Sequence, residues 1–396
     1  MSNTLKFGNG EWYGKKDTIL AYNDENSNYK PLPFDFSRAS KATVVNKDGL
    51  IQEVGSGQPR IDYKDDSKGA LLLEPSRTNL IEYSIPINSA PYNYANGGVA
   101  TAPIHTANQG ISPDGSLNAS KIDFNLNGGT TSSDLSQMAY VGSSLTGDYT
   151  SSFYLKSFDS NSYIVTLLDS NGATSQETIT PEWQRFTFYN GGGTTSTNLI
   201  RIRLRGNENT SNTASLLAWG FQLESGSYAT SAIFTSGSVV TRSADSCSQT
   251  VPDGVIGQTE GSVYVEVNIS NTTTKTILAL DTGSASNFII LDTSISLSPK
   301  ILVRQSSGSF PAIITGTAMS YGVNKIAFCY KSGDYAMYVN GVLSGTSTSA
   351  TFPSGIISKI SVGANSSYGY FSDTVKNVKL YDTRLSNSEL AALTQV

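Results

Sequence analysis

The sequence predicts an all-β chain: a loop-rich N-terminal segment, then two β-sandwich domains, then one short C-terminal helix. Three observations carry this. Ser, Thr, Gly, Tyr and Asn are abundant and helix formers are thin, a balance that favours strands and turns. Short runs alternate apolar and polar residues, with turn signals about every ten positions. Charged residues make up only 15% of the 396 positions, under the usual ~25%.

Charge density divides the chain. The first 85 residues hold 23 charged side chains and the other 311 hold 36. Residues 1–85 are rich in loop signals such as Gly8-Asn9-Gly10, Pro31-Leu32-Pro33 and Gly55-Ser56-Gly57. Within them 42–45 and 50–54 read as a hairpin turned by Lys47-Asp48-Gly49, and 69–73 as a further strand. Few apolar residues serve this stretch, so it is expected to be poorly ordered alone and to need a partner surface.

Residues 86–245 read as a jelly roll, with strands at 151–156, 162–168, 174–180, 185–189, 198–205 and 214–223. Asp169-Ser170-Asn171-Gly172 marks a hairpin turn. Residues 246–396 repeat the style at 262–269, 276–281, 288–292, 301–304, 325–330, 335–339, 356–362 and 375–381. The closing helix starts at Ser386, which with Glu389 forms a capping box; Leu390 and Leu393 anchor it. The two sandwiches, 86–396, are expected to fold without residues 1–85.

Several functions drop out. Net charge is −5 and the pI about 5.1, which leaves no electrostatic footprint for nucleic acid. No apolar run approaches the ~18–20 residues of a membrane helix, and the first seven residues lack a signal-peptide core. Cys247 and Cys329 stand 82 positions apart and read as buried thiols. The lone histidine, His105, reads as a surface residue. No GxSxG, HExxH, P-loop or Glu-x-Asp motif occurs. The last absence removes the paired-acid strand of laminarinase-like glycanases.

Four patterns are candidate sites. Arg201, Arg203 and Arg205 alternate along one strand, placing three guanidinium groups on one face. They suit an acidic glycan or a neighbouring chain's carboxylates; the alternative is a solvated sheet face. Asp123-x-Asn125-x-Asn127-Gly128 with Asp134 at position twelve is a partial calcium loop; its Asn-Gly-Gly is equally a plain turn. Calcium is the one cofactor considered. Tyr368, Tyr370 and Phe371 cluster in a loop that suits glycan stacking, a subunit contact or edge packing. Leu217, Trp219, Phe221 and Leu223 alternate as core, and Trp183 is read the same way.

The block Arg38-Ala39-Ser40, Pro59-Arg60-Ile61-Asp62-Tyr63 and Leu71-Leu72-Leu73-Glu74-Pro75-Ser76-Arg77-Thr78-Asn79-Leu80 resembles a module of tailed-bacteriophage structural proteins. The opening Lys6-Phe7-Gly8-Asn9-Gly10-Glu11-Trp12 resembles phage fibre proteins. Gln222-Leu223-Glu224-x-Gly226-x-x-Ala229-Thr230-Ser231-x-Ile233, with Ala232 where Tyr is usual, resembles the closing strand of their carbohydrate-binding-module-like jelly roll. Glu182-Trp183-Gln184-Arg185-Phe186 resembles another strand of that module. Lys325-Ile326-Ala327, Tyr338-Val339-Asn340-Gly341 and Val378-Lys379-Leu380-Tyr381-Asp382 resemble a concanavalin A-like, laminin-G-type sandwich.

These resemblances imply a bacteriophage virion appendage, capsid- or tail-attached, that is not an enzyme. Residues 1–85 would attach it to other virion proteins. The sandwiches would contact host-surface or mucus glycans, in a homodimer or homotrimer located in the virion. Nucleic acid and membrane insertion are not expected. A capsule depolymerase and a purely structural spacer are the alternatives.

Overall fold

The computed structural model describes residues 4–25, 28–169, 171–172, 174–272, 275–283, 287–305, 310, 312–351, 357–365 and 369–396. All but one of its elements are strands, as expected; the exception is the helix Asn387–Leu393. Ile356, Ser170 and Tyr368 lie outside the described residues.

The chain divides into two compact units, residues 1–76 with 243–396, and residues 77–242. The second unit is therefore an insertion in the first. This differs from the three expected modules, 1–85, 86–245 and 246–396. The reason lies in strand pairing.

In the first unit Glu260–Ile269 pairs with Gly322–Lys331 on one side and Asp373–Tyr381 on the other. Beyond Asp373–Tyr381 comes Leu5–Gly8, then Thr18–Glu25, then Asn28–Ser37. Asn28–Ser37 then pairs with Ser246–Thr250, and the ladder continues through Lys359–Val362, Lys275–Asp281, Phe288–Thr293, Pro299–Arg304 and Ala312–Thr315. The N-terminal strands thus sit in mid-ladder. Without them Asp373–Tyr381 and Ser246–Thr250 would each present a bare edge.

Pro31 and Pro33 fit this placement. They face Tyr22 and Leu20 on one side, and the other neighbour, Ser246–Thr250, joins only from Asp35 onward, so neither proline interrupts a second ladder.

The alternation of this segment also fills the core. Leu5, Phe7, Ile19, Leu32, Phe34 and Phe36 are buried in one cluster with Val263, Val265, Ile301 and Phe328. Those six side chains contribute on the order of 10 kcal/mol before the entropy of ordering. Residues 86–396 therefore lack part of the first core, which argues against the expectation that they fold independently. The hairpin Ala42–Val45 with Ile51–Val54 forms as expected.

Arg38, Arg60 and Glu74 of the N-terminal motif find their partners here as well. The Arg38 and Asp245 side chains are fully buried and meet at 3.1 Å. Arg60 reaches the other Asp245 oxygen and also Glu74, the latter at 2.6 Å. Arg38 further donates to the carbonyls of Ser40, Gln58 and Gly55. Burial alone would lower the pKa of Arg60, but the charges of Asp245 and Glu74 more than reverse this. The motif is an ionic staple that ties positions 38, 60 and 74 to 245.

Ser386 accepts from the Glu389 backbone and Glu389 reaches back to Ser386, the expected capping box. Leu390 packs with Tyr264, Ala327, Tyr338 and Tyr381 on the outer sheet face. Cys247 and Cys329 are buried free thiols.

The second unit is two five-stranded antiparallel sheets. One runs Tyr92–Gly97, Leu135–Val141, Asn198–Arg205, Tyr163–Leu168, Thr174–Ile179. The other runs Thr101–Ile111, Leu117–Asn125, Thr213–Ser225, Thr146–Ser157, Gln184–Thr194. Phe153, Phe221, Ile122, Leu216, Ile202 and Val165 meet between them.

Leu217, Trp219, Phe221 and Leu223 are all buried, but not in one stripe. Gly220, at φ +67°, sits beside a register shift and changes the parity of the strand. Phe221 and Leu223 enter the core, while Trp219 packs against Tyr154 and Phe234 at 5.5 and 5.0 Å outside it. The motif residue Asn79 staples this unit, donating to the carbonyls of Phe221 and Ile233 and accepting from Ile81 and Leu223.

Candidate functional site

Asn198–Arg205 is the middle strand of the first of those sheets, so both its edges are hydrogen-bonded. Ile200, Ile202 and Leu204 point into the core. Arg201, Arg203 and Arg205 point outward, as the alternation requires. Register puts Ala139, Gln137 and Leu135 beside them on one neighbouring strand, and Leu168 and Thr166 on the other.

The three arginines are not equivalent. Arg203 is buried and holds Glu208 in a two-pronged pair, through Nε at 3.0 Å and through Nη2. Arg205 donates to the Ser132 carbonyl at 2.8 Å and stands 3.9 Å from the same Glu208. Burial pushes the Glu208 carboxyl up, and the bonds from Arg203 more than offset it, so its pKa lies below the ordinary value. Arg201 is half-buried. It makes one long bond, 3.4 Å from Nη2 to the Asp169 carbonyl, and its Nε has no partner. Burial first, and the Arg203 charge second, hold its pKa below the ordinary value.

Three carboxamides share this face: Asn93, Gln137 and Gln176. Asn93 and Gln176 are exposed and Gln137 is half-buried. None of the three uses its side chain in a hydrogen bond among the described residues. Sequence reasoning missed them because their common face depends on the register of four strands. The alternation in Ser136-Gln137-Met138 was the only local signal. It also missed Glu208, which returns to the ladder through the turn at Gly206-Asn207.

The other candidates separate. Asp134 gives one oxygen to the Val99 amide and the other to the Thr131 amide and hydroxyl. The Val99 bond and then the Thr131 bonds pull its pKa down to about 2. Asn125 accepts from the Asn127 amide, and Asn127 takes φ +52°. Asp123 is bonded to Ser215 and paired with Lys121 at 3.0 Å. These four are engaged in a turn and a strand face, not gathered as a ring of open oxygens. Among the described residues no group of three or more His, Cys, Asp or Glu could hold a metal.

Of the aromatic loop, Tyr370 is exposed, but Phe371 is fully buried in the first unit's core. Its amide bonds to Gly363, which fixes it inward. His105 is half-buried rather than on the surface. Its Nε2 contacts the Pro86 carbonyl at 2.9 Å and the Ser120 hydroxyl at 3.1 Å, and burial lowers its pKa. Trp183 is half-buried, donates to the Ile111 carbonyl at 3.1 Å and lies under Lys156.

Residues 241–391 match the family model of the Concanavalin A-like lectin/glucanases superfamily. That match leaves out the N-terminal strands of the same unit and nearly all of the second unit. No curated protein matches the chain. Among solved structures, the CBM40 of Ruminococcus gnavus IT-sialidase bound to α2,3 sialyllactose is 19% identical over 35% of this chain and 84% of that one, with TM-score 0.32. Domain 4 of AbnA, a GH43 extracellular arabinanase from Geobacillus stearothermophilus in complex with arabinotriose, is 21% identical over 38% and 73%, TM-score 0.32. A SAP-like pentraxin from Limulus polyphemus is 13% identical over 33% and 68%, TM-score 0.27.

Proposed function

We propose that this chain is a glycan-binding structural protein of a bacteriophage virion, acting by adhesion and not by turnover. The observation that carries glycan binding is the outward face of the sheet through Asn198–Arg205. It offers Asn93, Gln137 and Gln176 without side-chain partners among the described residues, on a sheet with both neighbours of the central strand in place. Carboxamides supply paired donors and acceptors that suit sugar hydroxyls. The concanavalin A-like match over residues 241–391 fits the same reading. Virion location, attachment through the N-terminal region and a homodimer or homotrimer rest on the likeness of residues 6–80 to phage proteins. Weak single sites multiplied by copy number would give the particle its hold.

Against turnover that depends on histidine, the His105 ring is held by Pro86 and Ser120. The test is a glycan array with purified full-length protein, alongside a reducing-sugar assay on host polysaccharide. Binding without sugar release is expected. Gln137→Ala with Gln176→Ala should cut binding at least fivefold and leave the melting temperature within about 2 °C. Sugar release by clean protein would favour the depolymerase; an unresponsive array would favour the spacer.

A further inference from the structure

We infer that the ligand of this face is an acidic glycan and that Arg201 takes its carboxylate. The inference rests on the reading that the face binds glycan, and adds the substrate class.

Alternate residues of a strand lie about 7 Å apart, so the three guanidinium groups repel one another across less than a Debye length. Among the described residues only Glu208 pairs with any of them, and its contacts go to Arg203 and Arg205. Asp169 lies near Arg201 and attracts it, but ranks behind burial and Arg203 in its effect. The Asp169 contact to Arg201 is the carbonyl, while its carboxylate Oδ1 serves the Asn171 amide. Arg201 is thus a half-desolvated cation with five donors and one long bond.

Chemistry of the partner follows. A guanidinium stripped of water and lacking partners is costly unless an anion meets it. A planar carboxylate matches its fork with two parallel bonds. Asn93 and Gln137 lie to one side of it, Asn93 beyond Ala139 and Gln137 beside Arg203 in register, where they can take hydroxyls of the same glycan.

What the face lacks is as informative. Its outward positions on the five strands are aliphatic, glycine, hydroxyl, carboxamide or arginine, with no aromatic ring. Neutral glycans draw much of their affinity from stacking on such rings. Without a platform, charge must supply selectivity, and a uronic or sialic acid carries the charge.

The test uses the full chain and two matched pairs: tetragalacturonate against its methyl ester, and 3′-sialyllactose against lactose. Affinities are measured by calorimetry at 50 and 500 mM salt. At least one acid should bind tenfold or more tighter than its neutral partner at low salt. Arg201→Gln should abolish that difference and flatten the salt dependence, with the melting temperature unchanged. Arg205→Gln, whose guanidinium is held by Ser132, should cost less than threefold.

Equal affinity for acid and neutral partner would overturn the inference and leave the glycan-binding reading standing. So would an acid preference that survives in Arg201→Gln. If neither pair binds while Arg201→Gln alters the sedimentation of the protein, the partner is a protein carboxylate and both readings fall.

Discussion

In the first unit Arg38 and Arg60 meet Asp245 and Glu74 with almost no access to water. In the second, Arg201, Arg203 and Arg205 stand on one strand and, among the described residues, only Glu208 pairs with any of them. The same side chain serves two ends. Where carboxylates and carbonyls match every guanidinium, arginine fixes the path of the chain. Where guanidinium groups outnumber carboxylates, a place is left for an anion from outside. Arginines quoted in a sequence motif are therefore no more functional than others until their partners are counted.

The largest effect that sharpens this contrast comes from truncation. Residues 86–396 lose the strands Leu5–Gly8, Thr18–Glu25 and Asn28–Ser37 together with Arg38, Arg60 and Glu74. Such a fragment should show no cooperative melting of the first unit by calorimetry. Residues 77–242, by contrast, should melt as a single sigmoidal transition. Independent melting of the first unit in 86–396 would break the account of the N-terminal strands.

Next in size is Asp245→Ala. It takes the Asp245 carboxylate from Arg38 and one of two carboxylates from Arg60, and breaking a buried ion network costs about 3–5 kcal/mol. Denaturant unfolding should show that loss in the first unit alone. A cost under about 1 kcal/mol would mean that the staple does not hold the fold.

Glu208→Gln acts on the other side of the comparison. The Glu208 side chain is 20% exposed, so its loss should cost only about 1–2 kcal/mol. It should also leave the face more positive and tighten acidic-glycan binding a few-fold at low salt. Weaker binding would mean that Glu208 orders the site rather than neutralising it.

The smallest effect is set by pH. Asp134 has its pKa depressed to about 2, first by the Val99 amide and then by Thr131. Its ordinary value is near 3.9. A depressed acid stabilises the fold above the unfolded value and loses that contribution as pH falls through the folded one. The melting temperature of Asp134→Asn in residues 77–242 should therefore lie below the parent above pH 4 and converge on it near pH 2. A constant gap would remove Asp134 from this role.

Much of this was legible in the sequence. Alternation placed strands such as 198–205 and 262–269, Lys47-Asp48-Gly49 placed a hairpin, and Ser386 with Glu389 placed the helix start. Each rests on contacts within a few residues. What stayed hidden rests on distant ones. Phe7 faces Val378 and Phe36 faces Cys247, partners more than 200 positions away that no local period reveals. Alternation puts Arg201, Arg203 and Arg205 on one outward face, but it does not reveal which are clamped and which open, since Glu208 returns by a turn and the carboxamides come from three other strands. In the sequence Phe371 looks like a loop aromatic, beside Tyr370, which is exposed. The bond of its amide to Gly363 is what fixes it inward, and nothing local marks it.

The contrast predicts that buried arginines hold the first unit together and that Arg201 meets ligand in the second. Hydrogen exchange of the full chain, with and without 10 mM tetragalacturonate and 3′-sialyllactose, tests it most directly. Added protection should appear in 92–97, 135–141, 174–179 and 198–205, with the first unit unchanged. Protection confined to the first unit, or none anywhere while binding is measured, would contradict it.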